Sequence, residues 1–167
     1  MIAKNSSKDQ LAMDLRSCKV LGGVYKEALR VSASTVSARE SLTENILSGK
    51  KVKAGTNLLI TYRSMLRDTN RFGQDADIFA WDRFLREDGL DKQPWFTPYG
   101  DGVGQCPGRW LAQMEIMSMV ALVVTRFDIE KVDKQAFPKL DTKTPSLGVM
   151  GPCAGSDMLI RIAKRSC

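Results

Sequence analysis

The sequence predicts a mainly α fold with small β-sheets, and three observations carry that prediction. Apolar residues recur at helical spacing from Leu11 to Arg30, and a second stretch, Arg109 to Arg126, is apolar on nearly every side. Strand-like runs occur only as short segments bounded by Ser- and Gly-rich turns. At 167 residues and 43% apolar content the chain is long enough to bury one core.

In order, residues 1–10 are polar and expected to fray. In the first helix Val20, Val24 and Ala28 form one row and Leu21, Tyr25 and Leu29 the next, with Gly22-Gly23 predicting a break. Thr35 to Leu42 alternates as a strand does, Ser48 to Gly55 reads as a hairpin tip, and Asn57 to Thr61 as an apolar strand. Tyr62 to Asp68 suits a short helix. A long irregular stretch then runs from about Thr69 to Gly108, and loops of that length inside a domain are usually functional. The apolar stretch Arg109 to Arg126 is expected as a buried helix. Short strands are expected around Phe127 to Lys131 and Asp157 to Ala163. The longest apolar run, Met114 to Val124, is interrupted by Glu115 and Ser118 and falls short of a membrane span. The N-terminus lacks the pattern of a secretory signal.

Charge and rare residues narrow the chemistry. The net charge of +6 favours an acidic partner, but the basic residues are scattered and do not alternate with aromatic ones, so nucleic acid is not expected as a partner. The chain has no histidine, which excludes Ser-His-Asp triads, Cys-His dyads and the usual zinc sites. Its four cysteines are irregularly spaced and form no CxxC pair, so a disulfide framework is not expected. A lone thiolate holding an otherwise coordinated metal is the metal chemistry left open.

The segment Tyr99 to Arg109, YGDGVGQCPGR, fits that chemistry. Cys106 stands at the exit of a glycine-rich loop and the mouth of a long helix, where the helix dipole favours an ionised, metal-ligating sulfur. Glycines at 100, 102 and 104 let the backbone pass close to something large and flat, and Pro107 stops the loop folding back and fits the first turn of the following helix. A phosphate cradle fits less well, since the spacing is not G-x-G-x-x-G and no P-loop lysine is present. A buried cysteine in an ordinary turn is the remaining alternative.

The loop resembles the heme-ligand loop of the cytochrome P-450 family, the heme-thiolate monooxygenases. Two further motifs stand upstream in the family's order. Glu27-Ala28-Leu29-Arg30 matches the E-x-x-R pair, and Phe79 to Phe84, FAWDRF, resembles the Phe-x-Pro-x-Arg-Phe motif of the meander. The similarity continues through Lys51 to Gly55, Asp68 to Ala76 and CPGRWLAQMEI, covering roughly residues 15 to 165.

The resemblance implies the proximal, C-terminal part of that fold, with residues 11–167 a partial heme domain, and heme (iron protoporphyrin) as cofactor. It makes Cys106 the catalytic axial ligand to iron and gives Gly102 and Gly108 the role of admitting heme closely. Arg39 takes a propionate. Glu27, Arg30 and Arg83 form a structural network. Tyr99 replaces the usual phenylalanine near the sulfur and brings a hydroxyl that needs a partner. Gly104 stands where many members carry a basic residue, and Trp81 replaces the motif's proline. The wording GVGxCPGR is more like a fungal or sterol-hydroxylase-like branch. The implied partners are an NADPH-dependent reductase on the basic proximal face and a lipophilic small-molecule substrate. The family is typically anchored in the endoplasmic-reticulum membrane, though no anchor or signal is visible here. No counterpart of the family's distal helix is found. The sequence therefore also admits a truncated, non-catalytic remnant that binds heme weakly or not at all, or a redox-partner-binding module.

Overall fold

The computed structural model describes residues 15, 17–132, 136–143 and 148–165. The fraying expected for residues 1–10 lies outside them. Helix α1 spans Lys19–Ser32, and three short helices follow: α2 (Tyr62–Leu66), α3 (Thr69–Phe72) and α4 (Arg83–Arg86). Between α1 and α2 lie β1 (Val36–Glu40), β2 (Asn45–Leu47), β3 (Lys50–Val52) and β4 (Asn57–Thr61). The long helix α5 (Arg109–Arg126) runs directly into β5 (Phe127–Lys131), and β6 (Ile160–Lys164) closes the described chain. This is a mainly α arrangement with three two-stranded sheets.

All three sheets are antiparallel. Strands β1 and β4 pair from Val36↔Thr61 to Glu40↔Asn57, and β5 and β6 pair from Phe127↔Lys164 to Lys131↔Ile160. The hairpin differs from its sequence reading. Residues 48–55 do not form one tip, because Ser48 (φ 49°) and Gly49 (φ 77°) make a tight turn that pairs Leu47 with Lys50. Lys50–Val52 is then a strand, and a second turn at Gly55 (φ 78°) leads into β4.

Helix α1 passes unbroken through Gly22-Gly23, contrary to the expected break. The reason is packing. A Cβ at Gly23 would stand 3.3 Å from the Leu85 side chain, so the missing side chain admits α4 against α1. The chain instead leaves helical geometry at Cys18, whose backbone is extended.

The core lies on both sides of α1. One cluster joins Ala33, Leu66, Phe72, Ala76 and Leu90, with Trp95 and the Phe84–Phe96 pair packed on it. Phe72 and Trp95 meet edge to face at 5.0 Å. The second cluster joins Tyr25, Leu29 and Met117, with Leu21 and Tyr99 against it, and seats α5 on α1. The expectation that α5 is buried is not met. Met117 is the residue of this helix that is buried, whereas Leu111 and Met119 are 64% and 68% exposed. An all-round apolar helix needs cover on several faces, and here α1 covers one.

Candidate functional site

The loop before α5 is shaped by its glycines. Gly100 (φ 78°) and Gly102 (φ 60°) adopt left-handed conformations that side chains disfavour. Gly102 opens a single 3₁₀ turn through Gly104, and the Asp101 carboxylate accepts the Gly102 N–H at 2.7 Å. The chain then doubles back, so that the Cys106 N–H donates to the Tyr99 carbonyl at 3.0 Å and closes the loop. Arg109, the first residue of α5, donates from its guanidinium to the Cys106 carbonyl at 3.0 Å. Cys106 is exposed, and its Sγ lies 3.8 Å from where a Gly108 Cβ would stand. A side chain at 108 would therefore stand in van der Waals contact with the sulfur.

Arg39, on β1, reaches this loop from a distant part of the chain. Its Nη2 lies 3.1 Å from the position a Gly104 Cβ would take, so a side chain there would push the guanidinium aside by a few tenths of an ångström. The missing side chain at 104 thus makes room for the Arg39 guanidinium. Its other contact is local, a 2.9 Å bond to the Ala38 carbonyl, and among the described residues it makes no ion pair. A cation held beside the cysteine loop and free of an acidic partner suits a carboxylate ligand.

The Tyr99 hydroxyl finds its partner on α1. It is hydrogen-bonded to the Tyr25 hydroxyl, while the two rings pack in the same cluster as Leu29 and Met117. Burial pushes the Tyr25 hydroxyl well above the usual tyrosine range, and the bond to Tyr99 pushes it further.

Glu27, Arg30 and Arg83 meet in the interior. Their exposures are 0%, 0% and 1%. Three-residue spacing on α1 lets Arg30 grip Glu27 with two bonds of 2.8 Å, and Arg83 Nε reaches the same carboxylate at 3.2 Å. Glu27 also accepts the Ala80 N–H at 2.9 Å. The other guanidinium bonds go mostly to backbone carbonyls: Leu66, Ala76 and Ile78 receive Arg30, and Phe72, Asp75 and Ile78 receive Arg83. Arg30 also lies over the Phe72 ring at 4.9 Å. Burial raises the Glu27 carboxyl, but the Arg30 bonds, the Ala80 amide and Arg83 outweigh it and hold the group below the ordinary carboxylate range.

Two participants were not foreseen. Asp75 pairs with Arg83 at 3.0 Å, and that bond is the main cause lowering its carboxyl. It lies in the irregular meander, where no periodicity distinguishes one acid from another. Tyr25 was read only as part of an apolar row. The sole hint was a Tyr99 hydroxyl in need of a partner, which names no position.

The structure thus holds an exposed sulfur at the close of a glycine loop and, separately, a buried Glu-Arg-Arg block. The sequence profile described as Cytochrome P-450 matches residues 5–153, and the chain belongs to that family. Membership implies heme as the cofactor. Among relatives, the human 7-alpha-hydroxycholest-4-en-3-one 12-alpha-hydroxylase is 32% identical over 155 residues, 83% of this chain and 31% of that protein. A bifunctional cytochrome P-450/NADPH–P-450 reductase of Gibberella moniliformis (strain M3125 / FGSC 7600) is 35% identical over 129 residues, 74% of this chain and 11% of that protein. A solved structure of the cyanobacterial CYP120A1 with retinoic acid bound superposes with a TM-score of 0.77 at 16% identity, covering 99% of this chain and 36% of that one. The chain thus spans about a third of the length of curated relatives such as the human hydroxylase.

Proposed function

We propose that this chain supplies the heme-ligating half of a monooxygenase site, with Cys106 as the axial ligand to iron. The observation that carries this reading is Cys106 itself. It is exposed, fixed by its own N–H to the Tyr99 carbonyl, and placed at the mouth of α5 beyond a loop whose glycines leave space. The donor set suits heme, because an iron already held by four porphyrin nitrogens needs one thiolate and a backbone that comes close. Gly102 and Gly108 provide that approach, Tyr99 lends an aromatic body beside the sulfur, and Arg39 offers its guanidinium to a propionate. Heme, when bound, supplies activation of dioxygen. The residues of this chain hold the sulfur and carry the counter-charge. Glu27, Arg30 and Arg83 hold the meander in place and take no part in the chemistry.

The substrate class is a lipophilic small molecule, by analogy with the relatives' names. The electron donor is an NADPH-dependent reductase; the fused reductase of one relative supports this, as does the chain's net charge of +6. Heme reconstitution tests the ligand assignment. The expected result is the red-shifted Soret band of a thiolate-ligated ferrous carbonyl complex, and Cys106→Ala should abolish it.

The exposure of α5 favours a second reading, in which these 167 residues alone hold heme weakly and turn over no substrate. Product analysis with NADPH, a reductase and a panel of lipophilic compounds should then show no coupled hydroxylation. Turnover that depended on Cys106 would overturn this reading.

A further inference from the structure

We propose that Tyr25 is a positioning residue for Cys106, acting through Tyr99. The chain of contacts is short. Tyr25 is 7% exposed and is wedged with Leu29 and Met117 at the seam of α1 and α5. Its hydroxyl is bonded to that of Tyr99, and the Tyr99 carbonyl accepts the Cys106 N–H at 3.0 Å. One residue of the loop is therefore held twice, by its side chain to α1 and by its main chain to the cysteine. The Asp101 carboxylate caps the loop from within, and Arg109 reaches it from α5. The Tyr25 bond instead references the sulfur to the helix that carries Glu27 and Arg30.

This tie matters because the rest of the loop is permissive. Gly100 and Gly102 give the backbone little resistance to rotation, and residues 101–107 are exposed. A phenylalanine at 99 would pack against the same cluster but could not fix its distance to α1 by a directed bond. The hydroxyl pair is also a commitment. Removing one member leaves the other hydroxyl in a partly buried site without its partner, whereas removing both leaves two apolar rings in one cluster with no polar group to satisfy.

The inference rests on reading Cys106 as the ligand, so its experiment has an arm that needs no heme. The heme-free full chain and its Tyr25→Phe, Tyr99→Phe and double variants are alkylated with iodoacetamide, and modification at Cys106 is located by peptide mass. Each single change should speed alkylation of Cys106 by about three- to tenfold, the equilibrium equivalent of one lost hydrogen bond. The double variant should be no faster than the faster single, and should melt above both singles. In the reconstituted protein, the share of thiolate-type Soret band should fall in both singles.

Unchanged Cys106 reactivity in Tyr25→Phe, or effects of the two singles that multiply in the double, would overturn the proposal. Loss of the thiolate band in Cys106→Ala, together with faster alkylation in the tyrosine singles, would sustain both the proposal and the ligand reading. A Cys106→Ala protein that kept the band would remove the ligand reading alone, with the positioning role judged on the alkylation rates.

Discussion

The Glu27–Arg30–Arg83 block and the Cys106 loop lie a few residues from shared supports, yet they are built on opposite principles. The block is charged and wholly buried, and its guanidinium groups are spent on the carboxylates of Glu27 and Asp75 and on backbone carbonyls. The loop is exposed, rich in glycine, and ends in a sulfur that faces outward. The difference teaches where each function's requirements are met. The block finds its partners within the described residues, so it can set the meander by itself. The loop leaves its sulfur exposed and free, as the proposed ligand role requires.

Removal of one member of the block should have the largest effect. Glu27→Ala leaves the buried Arg30 without a carboxylate, and Arg83→Ala leaves the Phe72 and Asp75 carbonyls without their donor; breaking such a buried ionic network typically destabilises by about 3–5 kcal/mol. Thermal melting of the soluble protein should show a sharp fall for both, and an unchanged midpoint would mean that the three residues are not coupled. Asp75→Asn should do less than either, because that carboxylate is half-exposed while Arg83 keeps Glu27 and three carbonyls.

Acid should then separate the two regions. The folded Glu27 carboxyl lies below its unfolded value, so the folded state binds fewer protons there than the unfolded state does. Its contribution is complete above the unfolded value of about 4.3 and is lost as pH falls through the lower, folded value. Melting followed from neutral pH into that range should show a loss of stability that Glu27→Gln no longer displays. The same titration in Cys106→Ala should match the unmodified protein.

The apolar face of α5 offers a weaker contrast. Leu111→Ser changes a residue that is 64% exposed, so the melting temperature should move little, within about 0.5 kcal/mol of stability. Self-association measured by sedimentation should decrease, since large exposed apolar patches promote it. The smallest effect on stability is expected for Cys106→Ala. The side chain is exposed and its backbone bond to Tyr99 survives, so stability should again stay within about 0.5 kcal/mol while the thiolate spectrum is lost.

Much of the local structure was written in local signals. The register of apolar residues in α1, the alternation in β1, the apolar run of β4 and the span of α5 follow from side-chain patterns that a single segment carries. The E-x-x-R spacing fixed the Glu27–Arg30 contact because three residues on one helix turn bring the two side chains together whatever surrounds them. The cysteine loop, too, was legible through its glycines and Pro107.

Tertiary structure decided the rest. Gly22-Gly23 reads as a helix break in isolation and becomes a packing site once Leu85 of α4 lies against it. The all-apolar α5 reads as buried, yet burial depends on what surrounds a helix and not on its own composition. The Tyr25–Tyr99 bond, the Arg39 guanidinium over Gly104 and the Asp75–Arg83 pair join residues far apart in sequence or lodged in an irregular loop. Sequence by itself determined the long helices, most of the strands and the glycine-rich cysteine loop, because those choices rest on interactions within a few residues, whereas the short α3 and α4 lie in a stretch that reads as irregular. Which surfaces those segments cover, and which side chains complete the cysteine loop, was left to contacts that exist only after the chain has folded.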